Sequence, residues 1–113
     1  MNAGWKPLTV LLAAATLLAP AAVARAQADT ARRSHLEHMV LQDCGSCHGM
    51  TLKGGLGPAL TVEALHGKPG EMLVATILYG RPGTPMPPWK PFMSEQEAVW
   101  IVEQLQKGAI RAP

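Results

Sequence analysis

Cys44-Gly45-Ser46-Cys47-His48 concentrates most of the chemistry this chain can do: two thiols three residues apart and an imidazole beside the second. The pattern C-x-x-C-H is that of c-type haem attachment. Two thiols at this spacing reach the two vinyl groups on one edge of a porphyrin. The adjacent His48 then comes beneath the ring, where its imidazole can bind iron. Gly45 keeps the turn between the thiols uncrowded. Three other chemistries use the same residue types. A redox dithiol requires a βαβ setting, a structural disulfide suits an exported protein but leaves His48 without a role, and zinc requires four N or S ligands. The sequence near the motif offers zinc two Cys and one His. Haem c, one per chain and covalently attached through Cys44 and Cys47, explains all three residues.

Electron transfer at a His-ligated haem calls for a second axial ligand. Met39, Met50, Met72, Met86, Met93, His35, His38 and His66 are the candidates. Met39 and Met72 sit where helix cores are expected. Met50, two residues beyond His48, cannot circle to the opposite face of the ring. Met86 lies between Pro85 and Pro87-Pro88, in a loop with few backbone conformations, so a thioether can be held at iron with little entropy loss. A methionine filling a gap under that loop is the bland alternative. Met93 and His66 are the fallback ligands, and His35 and His38 read as solvated helix positions. His48/Met86 ligation raises the reduction potential and leaves no open position for substrate. The expectation is an electron carrier, not an enzyme.

These residues need elements to hold them. Residues 1–26 read as a secretory signal peptide: Lys6, an apolar run over 8–19, and a small-x-small pattern at Ala24-Arg25-Ala26. The run is short for a membrane span of ~20 residues, so no stable membrane insertion is expected after cleavage, and the product is periplasmic. A retained anchor, making the chain a tethered subunit of a respiratory complex, is the alternative. The precursor carries ten Lys and Arg against eight Asp and Glu. Lys6 and Arg25 leave with the leader, so residues 27–113 are formally neutral. Neutrality argues against a nucleic-acid partner.

The 87 residues that remain after cleavage have one Phe and one Tyr. A domain near this size limit recruits disulfides, metals or cofactors to complete its core. Residues 27–33 read as a loose polar lead-in. Ser34 and Glu37 form a capping-box pattern, opening a first helix over 34–43. Glycines 54, 55 and 57 with Pro58 make a loop, and 61–65 one helical turn. Pro69 starts a helix that ends near Tyr79-Gly80, with Met72, Leu73, Ile77 and Leu78 inward. Residues 80–89 are too rich in Pro and Gly for helix or central strand. Ser94 and Glu97 repeat the capping box before a last helix ending at Gly108. The fold class is all-α, three to four helices around one haem.

Taken together, the helix leading into Cys44–Gly49, Gly57-Pro58-Ala59-Leu60, Met86-Pro87 and a C-terminal helix with an aromatic residue resemble the class I cytochromes c. The resemblance implies that Pro58 lends its carbonyl to His48 and that Trp100 packs against Leu36 and Val40. The segments 43–58, 80–87 and 97–102 are similar to the NirC-like group, small periplasmic cytochromes of denitrifying bacteria encoded with haem-d-containing nitrite reductase. That likeness implies a nitrite-reductase-type redox partner, or a role in maturing d-type haem. Contact is expected at the haem edge beside Met50, Leu52 and the Pro82–Pro88 loop.

Overall fold

The computed structural model describes residues 8–111, with side chains described from residue 21 onward. Much of the expected leader (1–26) thus lies outside the described side chains, and its first seven residues lie outside the described backbone. By compactness the chain divides into one unit up to Ser34 and a second from His35. Helix α1 spans Leu8–Met39, a π-helical turn spans Val40–Cys44, and α2 spans Gly45–His48; α3 (Val62–Leu65), α4 (Gly70–Tyr79) and α5 (Glu95–Lys107) follow. No strand occurs among the described residues, as the all-α reading requires. No helix in that range is long and apolar enough to cross a membrane.

The first helix does not begin at Ser34. Residues 27–33, expected to be loose, are helical. Residues 21–33 are alanine-rich and contain no glycine or proline, so nothing in them opposes helix propagation. A capping side chain matters only where the first amides lack helical partners, and at Ser34 the helix is already under way. The helix also changes pitch before the motif, because the last turn into Cys44 is π-helical. Such turns are rare and cluster at functional sites.

The other elements start and stop where local chemistry says. Thr61 Oγ1 accepts from the Ala64 amide at 3.3 Å and caps α3. Ser94 Oγ accepts from the Glu97 amide at 3.2 Å, and Glu97 Oε2 accepts from the Ser94 amide at 2.7 Å, a full capping box on α5. Gly108, at φ 65°, ends α5 in the left-handed conformation. Pro69 is the N-cap of α4, one position earlier than a first-turn proline.

The core of the second unit joins Leu36, Met39 and Val40 to Ala98, Ile101, Val102 and Leu105 of α5, with Val74 and Leu78 of α4. Trp100 is half-buried against this cluster. No polar or charged side chain is buried among the described residues, so the buried contacts between these helices are apolar. Met72 departs from the expected inward face of α4 and is 46 % exposed, while Val74 is buried instead.

Two long loops complete the unit, and both are anchored on helix ends. The 49–60 loop returns amides to the last carbonyls of α2: Gly57 N–H donates to Cys47 O and Gly54 N–H to His48 O, each at 2.8 Å. The 80–93 loop straps back onto α4, with Trp89 N–H donating to Ile77 O at 3.0 Å and Lys90 N–H to Leu78 O at 3.1 Å. Carbonyls that a helix C-terminus leaves unpaired are thereby satisfied, and each loop acquires a fixed path without regular structure.

Candidate functional site

A cavity of about 750 Å³ opens inside the second unit. That is within the roughly 300–1,000 Å³ range of pockets that enclose a cofactor-sized ligand. Its lining is mostly apolar, with Leu60, Leu65, Leu73, Ile77, Ile101, Val102 and Leu105 among the walls. Cys44, Cys47, His48 and Met86 all contribute to the same lining. Four residues singled out on chemical grounds, spread over more than forty positions, therefore face one space. So large an apolar void in so small a unit is what a core looks like when a bulky planar group belongs in it.

The arrangement of His48 is specific. Its Nδ1 lies 2.7 Å from the Pro58 carbonyl oxygen. A carbonyl can only accept, so Nδ1 carries the proton and Nε2 keeps its lone pair for a metal. A hydrogen bond of this kind fixes both tautomer and ring orientation. Gly57 has a part in this that residue types and spacing do not announce. A Cβ there would lie 2.8 Å from both Nδ1 and Cε1 of His48, closer than real contacts allow. The only sequence signal was the Gly-Pro pair itself.

The two thiols are half-buried and not joined to each other. Burial pushes the Cys44 thiol up to about 11, and the adjacent Asp43 carboxylate adds to the effect. A redox dithiol works the opposite way, through a thiol held low enough to ionise near neutrality. No three of the described His, Cys, Asp and Glu side chains converge as a metal-binding group. The donor set thus fits thioether bonds to a porphyrin, with His48 as the metal ligand, better than either dithiol or zinc chemistry.

On the same lining, Met86 is half-buried in the proline-rich loop. Its carbonyl accepts from Arg81 N–H at 3.2 Å, and its amide donates to Thr84 Oγ1 at 3.3 Å. Gly80 makes this path available: at φ 69°, its missing Cβ leaves room for Met86 O, which such an atom would approach to 2.7 Å.

The other candidates separate by position. His66, His35 and His38 are exposed, and none lines the cavity. Met39 is in the core and off the cavity. Met93 lines the cavity but is 6 % exposed and packed within the core cluster. Met72 also reaches the lining, contrary to its expected core position.

One expected surface residue is misplaced. Leu52 is 4 % exposed and cannot offer a contact face. It adopts φ 59°, unusual for a leucine, and the inward turn of its side chain offsets that cost through burial. Met50 and Leu56, at 54 % and 75 % exposed, occupy the surface in its place.

Comparison with known proteins gives concordant results. Residues 31–104 match the family model described as cytochrome C oxidase, cbb3-type, subunit III. Cytochrome c55X of Pseudomonas aeruginosa is 62% identical over 82 residues, 73% of this chain and 69% of that protein. Its namesake from Stutzerimonas stutzeri is 52% identical over 98 residues, covering 87% and 86% of the two chains. Among solved structures, the c-type cytochrome NirC superposes with a TM-score of 0.70 at 61% identity, over 71% of this chain and 94% of that one.

Proposed function

The chain belongs to the cytochrome c family, close to cytochrome c55X and NirC, and we propose that it is a periplasmic electron carrier. It holds one haem c, bound by thioethers to Cys44 and Cys47, with His48 and Met86 as axial ligands. Residues 1–26 act as the export leader, and 27–113 form the carrier domain. Haem bound there supplies a one-electron ferric/ferrous couple. The observation that carries the reading is the single apolar cavity lined by Cys44, Cys47, His48 and Met86 together.

Each residue has a physical task. The thiols tether one edge of the cofactor, so its affinity no longer depends on non-covalent contacts. His48, locked by the Pro58 carbonyl, presents Nε2 in one orientation and gains basicity from the bond its other nitrogen donates. Met86 offers a soft, neutral donor that favours the ferrous state, raising the potential relative to a second imidazole. With His48 and Met86 both holding its iron, bound haem would offer no open position to a substrate. Apolar walls keep water away and lower the rearrangement that accompanies electron gain or loss.

The electron partner is a haem-d-containing nitrite reductase. What supports it is the resemblance of segments 43–58, 80–87 and 97–102 to the NirC-like group, which implies such a partner, together with the name of the solved NirC structure. Contact is brief and small, under ~1,200 Å², through Met50, Leu56 and the exposed prolines of the 82–88 loop. The test is electrochemistry of the holoprotein with the purified reductase. Electron exchange at a rate that sustains nitrite turnover is expected, and none at physiological potentials would overturn the partner.

A further inference from the structure

The haem cavity uses only part of the α4–α5 pair. A second hollow of about 470 Å³ runs along the same two helices, and of its lining only the buried Val102 also reaches the haem cavity. Its floor is apolar, with Val74, Leu78 and Val102 buried in it. The helices pass each other antiparallel. Gly70, at the head of α4, lies against Val102 and Gln106 near the end of α5, and Gln106 Nε2 donates to the Lys68 carbonyl at 3.1 Å. Glu71 therefore shares one end of the groove with Glu103, and Tyr79 shares the other with Glu95.

The edge of this groove is patterned. Glu95, Val99 and Glu103 follow one another at intervals of four, so they stand on one helical face. Their rise puts the two carboxylates about 12 Å apart along the axis, with Val99, 40 % exposed, between them. No Lys or Arg lines the groove. Cations of this chain reach only its ends: Lys107 Nζ lies 3.7 Å from Glu103, both exposed, and Lys90 Nζ lies 5.2 Å from the centroid of the exposed Tyr79 ring. Residues 27–113 carry as many basic as acidic groups, so the acidic edge is a local arrangement and not a consequence of composition.

We propose that this groove docks a cationic amphipathic helix of a partner protein. Its apolar side chains rest on Val74, Leu78 and Val99, and its Lys or Arg side chains pair with Glu71, Glu95 and Glu103. A helix seated in a groove presents anchors one or two turns apart, which is the spacing of this edge. An exposed ion pair such as Lys107–Glu103 is weak enough for a partner's cation to displace it. Because the two linings share only Val102, a docked carrier still offers its haem to a second protein.

The experiment titrates the ferrous, isotope-labelled holoprotein with an alanine-based helical peptide of about 20 residues. The peptide carries a leucine midway between two lysines about eight residues apart, the span of the Glu95–Glu103 pair; a control peptide has glutamates for the lysines. The lysine peptide should shift the amide resonances of 70–79 and 95–106, leave those of 50–56 in place, and bind more weakly as salt rises. Saturating peptide should leave the rate of haem reduction by ascorbate unchanged. E95Q and E103Q should each weaken binding by up to about fivefold, whereas K107Q, which frees Glu103 of its own cation, should strengthen it. The haem spectrum of each variant reports that it is folded. Absence of shifts, shifts centred on 50–56, slowed haem reduction, equal binding of the glutamate peptide, or unchanged affinity in E95Q and E103Q would each overturn the proposal.

Discussion

Two loops line one cavity, and they hold His48 and Met86 by different means. On the His48 side, the constraint reaches the side chain: the 49–60 loop places the Pro58 carbonyl on Nδ1, and Gly57 lets the ring approach the backbone closely. On the Met86 side, every named bond stops at the backbone. Arg81 and Thr84 hold the main chain of Met86, while its thioether is positioned only by where that backbone runs. Both loops place a glycine where a Cβ would not fit. One glycine clears space for a functional side chain, the other for a peptide carbonyl. The imidazole of His48 is thus oriented by a hydrogen bond of its own, whereas the thioether of Met86 is placed by the backbone of a stiff loop.

Substitutions that break this comparison fall in order of expected effect. Cys47→Ala removes a tether, and with it a group that completes the core; we expect a largely unfolded chain without stable haem, seen as loss of the visible spectrum and of cooperative unfolding by circular dichroism. Gly57→Ala drives a methyl group to 2.8 Å from the His48 ring. Overpacking of this kind costs about 1–3 kcal/mol, and denaturant titration of the holoprotein should show it. Because the ring must shift, the spin-state markers of the ferric haem should shift too.

Met86→Ala should act differently. The haem remains on its thioethers and His48, the chain remains folded, and the near-infrared band of thioether-to-ferric-iron ligation disappears while the potential falls. Persistence of that band would transfer the ligand role to Met93, which also lines the cavity. The smallest effect is expected at Ser94→Ala, which removes one half of the α5 capping box. A loss of about 1 kcal/mol should lower the melting temperature of the holoprotein and leave its spectrum and potential in place. That variant sharpens the comparison by separating global stability from ligand geometry.

The legible parts of the molecule share a property: their causes lie within a few residues. The Cys44–His48 spacing, the Thr61 cap, the Ser94–Glu97 box and the Gly108 stop each depend on atoms one turn apart, so residue types alone announce them. The exceptions have causes further away. Ser34 carries the chemistry of a helix start, but the alanine-rich chain before it is helical and makes the signal redundant. Leu52, in a glycine-rich loop, reads as surface until the core is seen to take it in at 4 % exposure.

By its sequence alone the chain set the spacing of its two thiols and imidazole and its helical class, because residue spacing, capping and helix-breaking residues act locally. The tertiary structure decided what meets what: Met86, and not His66, in the cavity with His48, and Gly57 beneath the imidazole. Those pairings bring together residues from several segments of the chain. They exist only once apolar burial has folded the loops onto the helices, and local propensity carries no record of them.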